Sequence, residues 1–310
     1  MRTVHTPWLE NVTLDFLFPG TFRRQRLLPP LHPGQASYVW EVTTTSAQTV
    51  IVRTTRFGVL PDEDFWQGAW RLFGADTRRL ERLAAINARL RRTWTVPVPR
   101  VLRYRRYRDR LFAVVERLPG TVLGDFGRLS DREWFRIGQG LARTHQSALS
   151  RFGPPTVWTG RSSGWSLDGF WNRLGQTADF LKARYYPEDR ALDAYWTDIR
   201  AHFQRLSPPP AAVPIMLDWD PTQFLVEGDR LTGLIDTELY VTGPAELELV
   251  GVEYFLTDRA VEPFRAGYTA IRPLPVLAPY RPVFRLLLRL MSFQGPVPWK
   301  EWMARPAWLD

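Results

Sequence analysis

Residues 214–249 read Pro-Ile-Met-Leu-Asp-Trp-Asp-Pro-Thr-Gln-Phe-Leu-Val-Glu-Gly-Asp-Arg-Leu-Thr-Gly-Leu-Ile-Asp-Thr-Glu-Leu-Tyr-Val-Thr-Gly-Pro-Ala-Glu-Leu-Glu-Leu. Two short apolar runs, Phe224 to Val226 and Leu231 to Ile235, flank the turn Glu227-Gly228-Asp229-Arg230. That pattern predicts a β-hairpin. Asp218 and Asp220 precede the first run and Asp236 ends the second. A hairpin brings its outer ends together, so these carboxylates converge at one end of a small sheet.

Converging carboxylates raise one another's pKa unless a cation sits among them. Mg²⁺ is the usual cation where oxygen ligands meet phosphate. A carboxylate left off the metal can accept the proton of an attacking hydroxyl. The layout therefore suits phosphoryl transfer. A surface hairpin with scattered acids fits the same geometry, so the hairpin alone does not decide.

The stretch resembles the catalytic segment of the aminoglycoside phosphotransferase and choline kinase-like family, relatives of the protein kinases. In that family a His-Gly-Asp triplet is followed five residues after its Asp by Asn, then a hairpin and an Ile-Asp pair. The resemblance makes Asp218 the catalytic base, and Gln223 and Asp236 the metal ligands. Glu238 matches an acid often found two residues later. Gly243-Pro244-Ala245 with Leu247-Glu248-Leu249 matches the segment beyond. Met216-Leu217 stand in place of His-Gly, and Gln223 in place of Asn.

Upstream elements fall in the family's order. Gly34 to Ser37 takes the place of the loop over the nucleotide phosphates. Val50-Ile51-Val52-Arg53 resembles the strand that carries the phosphate-binding lysine, with Arg53 in its place. A helix starting near Asp76 as N-cap carries Leu80, Leu83, Ala84, Ile86, Asn87 and Leu90 at helical spacing. Glu81 on it is the expected partner of Arg53. Val96-Pro97-Val98-Pro99 closes that helix. Leu111 to Gly120 reads as a buried strand running into a hinge, where backbone groups of Glu116 to Leu118 would meet the nucleotide base.

The resemblance implies a protein kinase-like two-lobed α+β fold. Residues 1–117 form an N-terminal nucleotide-binding lobe with an antiparallel sheet and a helix. Residues 118–310 form a mostly helical catalytic and substrate lobe. Asp125-Phe126-Gly127 spells a kinase metal motif but precedes the catalytic segment, and is set aside as chance. Ser130-Asp131-Arg132-Glu133 predicts a capping box. His145, on the apolar stripe of the following helix, is expected to be a packed core residue. Helices are expected over 169–184, 187–206 (with Pro187 at its first position), 253–268 and 280–293. Residues 61–75, with Phe65, Trp66 and Trp70, suggest an insertion or short helix.

Composition sets bounds. No cysteine is present, which excludes disulfides and thiolate metal sites. No run approaches the ~18 apolar residues of a membrane span. The first residues lack the apolar core of a signal peptide, so a cytoplasmic, membrane-free protein is expected. Net charge is +9 and carried by arginine, with only Lys182 and Lys300 as lysines. Nucleic acid is not the expected partner, because no basic-aromatic module accompanies the charge.

Three functional readings follow. The first is an ATP- or GTP-dependent, Mg²⁺-requiring phosphotransferase acting on a hydroxyl of a small molecule. The second is a kinase-like nucleotide-binding protein with impaired catalysis. The third is a basic nucleic-acid binder. The final fifty residues hold only Glu262, Glu301 and Asp310 as acids, which argues against a polycationic aminoglycoside acceptor.

Overall fold

A computed structural model describes residues 7–31, 35–159 and 164–310 of the chain. Strands β1 (Phe22–Leu27), β2 (Ser37–Thr44), β3 (Thr49–Thr55), β4 (Val101–Tyr107) and β5 (Arg110–Glu116) form one sheet in the order β1-β2-β3-β5-β4. Every neighbouring pair is antiparallel. Alternation along β2 sends Tyr38, Trp40 and Val42 to one face, where they meet Phe112 and Val114. Leu9, Leu14 and Leu17 of the N-terminal segment cover that face, although the sequence there gave no periodic signal. On the opposite face Ala113 and Val115 pack on Leu83.

Leu83 opens helix α2, since helix α1 (Asp64–Phe73) precedes α2 (Leu83–Thr93). The helix expected from Asp76 is thus delayed. Asp76 instead binds Arg78, at 2.8 Å from its Nε, and a 3₁₀ turn over Leu80–Arg82 intervenes. The aromatic stretch 61–75 forms α1. Gly74, at φ 62°, ends it by donating its N–H to Trp70 O at 2.8 Å, a geometry that favours glycine. Trp66, Ala69, Leu72 and Phe73 of α1 belong to the core of the helical half, although α1 lies before residue 117 in the chain.

The rest comprises β6 (Thr121–Val122), α3 (Asp131–His145), α4 (Leu167–Tyr185), α5 (Arg190–Arg205), β7 (Val213–Met216), β8 (Phe224–Glu227), β9 (Arg230–Leu234), β10 (Tyr240–Gly243), α6 (Ala245–Val252), α7 (Asp258–Thr269), α8 (Arg281–Leu290) and α9 (Trp299–Met303). Strand β6 adds to the β8–β9 hairpin, and β7 pairs with β10. The mixed architecture, an antiparallel sheet beside a mainly helical body, is the α+β kinase-like layout expected.

Three local expectations change. Ser130 makes no capping bond with its side chain. Glu133 turns inward instead, accepting from Arg136 at 2.6 Å and from the Leu231 N–H at 3.1 Å, because a buried tertiary pairing outweighs a local cap. Helix α5 starts at Arg190, not Pro187, since Asp189 caps it by accepting the Leu192 N–H at 3.0 Å. Residues 253–268 do not form one helix, because α6 ends at Val252 and α7 begins at Asp258. Among the described residues no helix is long and apolar enough to cross a membrane.

Candidate active site

The expected hairpin forms: Phe224 pairs with Leu234 and Glu227 with Arg230, with Gly228 at φ 64° in the turn. At its open end the Ile235 N–H donates to Gln223 O at 2.7 Å, which places Gln223 beside Asp236. Asp236 itself sits at φ 55°, ψ 49°, a left-handed conformation that a non-glycine residue adopts only when its surroundings enforce it. Asp218 arrives from the other side. Tyr240 pairs with Met216 between β10 and β7, so the loop leaving β7 runs past the loop entering β10.

Gln223 and Asp218 are tied directly. Gln223 Nε2 donates to Asp218 Oδ2 at 2.9 Å and to Asp218 O at 3.2 Å. Since a carboxylate only accepts, this bond fixes which way the amide faces. Gln223 Oε1 and Asp218 Oδ1 are then left buried without a partner. Burial, with Asp236 and then Glu238 adding, holds the Asp218 carboxyl well above the usual range. Asp220 is committed elsewhere, since its Oδ1 accepts the Thr222 N–H at 2.8 Å and the Thr222 hydroxyl at 2.6 Å.

Arg53 reaches this cluster from β3. Its Nη2 donates to Asp236 Oδ1, to Glu238 Oε1 and, at 3.2 Å, to Ser37 Oγ. Ser37 Oγ also donates to Glu238 Oε1 at 3.0 Å. Burial opposes the Arg53 charge, but Glu238 and Asp236 overcome it and raise the pKa. Glu238 is pushed up to about 8, by burial first, with Arg53 opposing and Asp236 adding to the rise.

Two cavities meet here. One, of about 390 Å³, is walled by Val39, Ile51, Val115, Leu225 and Ile235 and edged by Glu116, Arg117 and Leu118, with Arg53 at its inner end. The other, of about 650 Å³, is lined by Asp218, Asp220, Gln223 and Glu238, by Glu63 and Asp64, and by aromatic rings including Phe65, Trp66, Trp219 and Phe255. Asp236 and Gln35 line both. In the hinge the Glu116 N–H donates to Arg100 O at 2.9 Å, and Leu118 O accepts from Arg117 at 3.0 Å.

The structure therefore brings Asp218, Gln223, Asp236, Arg53 and Ser37 together, with Glu116 and Leu118 along the edge of the smaller cavity. Gly34 lies outside the described residues. Glu81 is not brought in: it is exposed and pairs with Arg79 at 3.5 Å. The delayed start of α2 leaves Glu81 on the 3₁₀ turn, and Arg53 is bonded to Glu238 and Asp236 instead.

Three supports escaped the sequence reading. Glu248 on α6 holds the loop that carries Asp218 from below, with its Oε1 accepting the Met216 N–H at 2.9 Å and Trp219 Nε1 at 2.8 Å. Its Oε2 lies 2.6 Å from His145 Nε2, and His145 Nδ1 lies 2.8 Å from the Tyr268 hydroxyl, so His145 is the packed residue expected. Asn87, on the apolar stripe of α2, donates to Pro99 O at 2.8 Å and accepts from the Thr237 hydroxyl beside Asp236. A polar side chain on an otherwise apolar stripe was its signal. The third is a pair of acids outside the last fifty residues, Glu63 and Asp64 at the start of α1, which line the larger cavity. Asp64 accepts from Tyr186 at 2.7 Å and Ser292 at 2.6 Å.

The donor set fits a hard divalent cation. Gln223 Oε1 is an orphaned buried carbonyl oxygen beside the Asp236 carboxylate. Among the described residues no group of three or more His, Cys, Asp or Glu side chains is placed to hold a metal. Two protein oxygens suit Mg²⁺, which keeps waters and takes phosphate oxygens for the rest.

Comparison with known proteins agrees with this layout. The probable ketoamine kinase slr1563 of Synechocystis sp. (strain ATCC 27184 / PCC 6803 / Kazusa) is 28% identical over 229 residues, covering 66% of this chain and 66% of that protein. The chain thus spans about two thirds of that relative's length. The GDP complex of aminoglycoside 2'-phosphotransferase-IIIa superposes with a TM-score of 0.62 at 14% identity, over 94% of this chain and 90% of that one. Macrolide 2'-phosphotransferase MphH from Brachybacterium faecium gives 0.57 at 15% identity, over 92% of each chain. At such identities these two structures speak to the fold. The model of the phosphotransferase enzyme family APH matches residues 28–283, from just after β1 into helix α8, and the chain belongs to that family.

Proposed function

We propose that the protein transfers the terminal phosphoryl group of ATP or GTP to a hydroxyl of a small molecule, with Asp218 as the base. The observation that carries this reading is the meeting of the two cavities at Asp236, with Arg53 on one side and Asp218 on the other. The smaller cavity has flat apolar walls and a backbone edge suited to a nucleotide base, and Arg53 stands where phosphates would end. The larger receives the acceptor.

The acceptor hydroxyl gives its proton to Asp218 as its oxygen bonds to the terminal phosphorus. The bond from that phosphorus to the bridging oxygen breaks, and nucleoside diphosphate leaves. Mg²⁺, when bound, would neutralise phosphate charge, and Gln223 and Asp236 would hold it. Arg53 offsets the same charge from the other side. Gln223 also orients Asp218 through its 2.9 Å bond to Oδ2.

The wall of the larger cavity favours an acceptor with a cationic group on a partly apolar body. Glu63 and Asp64 supply negative charge, and Phe65, Trp66, Trp219 and Phe255 supply ring faces. The curated relative, a probable ketoamine kinase, is consistent with this class.

The test is transfer of labelled phosphate from ATP and GTP, with Mg²⁺, to a panel of hydroxylated amines and neutral polyols. Asp218→Asn should leave nucleotide affinity nearly intact and lower kcat by about 10²- to 10⁴-fold, the usual span for a general base. Asp236→Asn should lower affinity and turnover together. A wild type that binds nucleotide and transfers phosphate to no acceptor, nor to water, supports instead a kinase-like binding protein with impaired catalysis. Loss of turnover in Asp220→Asn but not in Asp218→Asn moves the base by two residues.

A further inference from the structure

The hydrogen bonds of Arg53 are unevenly divided. All three of its protein contacts, to Ser37, Asp236 and Glu238, are made by Nη2. Nη1 makes no hydrogen bond among the described residues, and Arg53 lines the smaller cavity. The guanidinium is thus a fork with one tine held by protein and the other open.

The two carboxylates that hold it differ. The Asp236 side chain is 34% exposed and borders both cavities. The Glu238 side chain is 8% exposed and borders only the larger one. Glu238 Oε1 also accepts from Ser37 Oγ, so its position is fixed independently of Arg53. Asp236 is assigned to the metal, whereas Glu238 Oε1 is held between Arg53 and Ser37.

Building on the nucleotide reading above, we propose that Glu238 is the positioning residue of Arg53: with Ser37 it fixes Nη2 across the cleft, so that Nη1 is presented to the phosphates of the bound nucleotide. The contact between Arg53 and Asp236 is the one that yields when metal and nucleotide enter. Glu238 so does for Arg53 what Glu81 was expected to do. A lysine at position 53 would have to serve Glu238 and phosphate from one nitrogen, whereas the arginine fork divides them between two nitrogens in a fixed plane.

The test is calorimetric titration of the full-length protein with ADP in saturating Mg²⁺. Glu238→Gln should weaken ADP binding by about tenfold or more, while Glu81→Gln stays within about twofold of wild type. If Glu238 acts through Arg53, the two are not additive: in an Arg53→Gln background, Glu238→Gln should change affinity by less than about twofold. Should Arg53→Gln fail to fold, Arg53→Lys serves, since it keeps the buried positive charge. Arg53→Lys should itself weaken ADP binding, and adding Glu238→Gln to it should leave affinity unchanged or improve it by freeing the ammonium. Additive losses in either background overturn the inference, as does a loss in Glu81→Gln equal to that in Glu238→Gln. Wild type that binds no ADP with Mg²⁺ overturns the nucleotide reading and this inference with it. Wild type that binds, with an additive cycle, overturns this inference alone.

Discussion

Gln223 shows how much one methylene decides. Its amide nitrogen reaches Asp218 while its carbonyl oxygen stays buried and unpartnered on the metal side. An asparagine has the same two groups on a shorter arm, so from this backbone it cannot serve both. Gln223→Asn, which restores the residue common in the family, should therefore weaken Mg²⁺-dependent nucleotide binding, read as the ratio of ADP affinities with and without Mg²⁺. An unchanged ratio would remove Gln223 from the ligand set. At this scale the sequence was legible where the chemistry is local and contiguous. Gln223 and Asp236 flank one hairpin and Asp218 lies in the loop just before it, so a short contiguous stretch carries all three. The partner of Arg53 was not legible: Glu81 and Glu238 were both acids at sensible spacing, and only the late start of α2 removed the first.

At the scale of elements, the hairpin and the sheet followed from alternation and turn residues. A local signal was overridden where a tertiary contact competed with it, as with Glu133 turning from its cap toward Leu231. The crossing of α3 and α7 was likewise hidden, because its two halves are distant in the chain. There Gly138 lies against the backbone of Phe264 and Tyr268, and Gly267 against the backbone of Phe135. A methyl group at either position has no flexible side chain to displace. Gly138→Ala should cost about 1–3 kcal/mol or more, seen as a lower urea midpoint with an unchanged slope. Gly124 has nothing within 4 Å of the same methyl position and no unusual backbone angle, so Gly124→Ala should stay within about 0.5 kcal/mol. Equal effects at the two glycines would mean that the helices separate readily and that the crossing does not stabilise the fold. The floor of the candidate site depends on it, since Tyr268 on α7 and His145 on α3 lead to Glu248 beneath the loop that carries Asp218.

For the molecule as a whole, the sheet and the helical body meet through few polar contacts at the cleft. They include Arg53 with Asp236 and Glu238, Ser37 with Glu238, Asn87 with Thr237, and the Leu234 N–H with Pro97 O at 2.8 Å. A ligand lodged between the halves binds the folded state and has no equivalent site on the unfolded chain, so it must raise stability by mass action. At a hundredfold excess over Kd the gain is about 2.7 kcal/mol. With roughly 2 cal/mol/K of unfolding entropy per residue, a chain of this length should melt about 4 °C higher. Mg²⁺ alone should do little, because Arg53 already offsets Asp236 and Glu238, and two protein oxygens do not complete the coordination of the ion. ADP alone brings its phosphates against three carboxylates with only Arg53 to balance them. The full shift should therefore need both, and thermal melts with neither, either and both additions measure it. A shift with ADP alone equal to that with ADP and Mg²⁺ would take the metal out of the site, and would leave Gln223 and Asp218 as a hydrogen-bonded pair with no cation to serve.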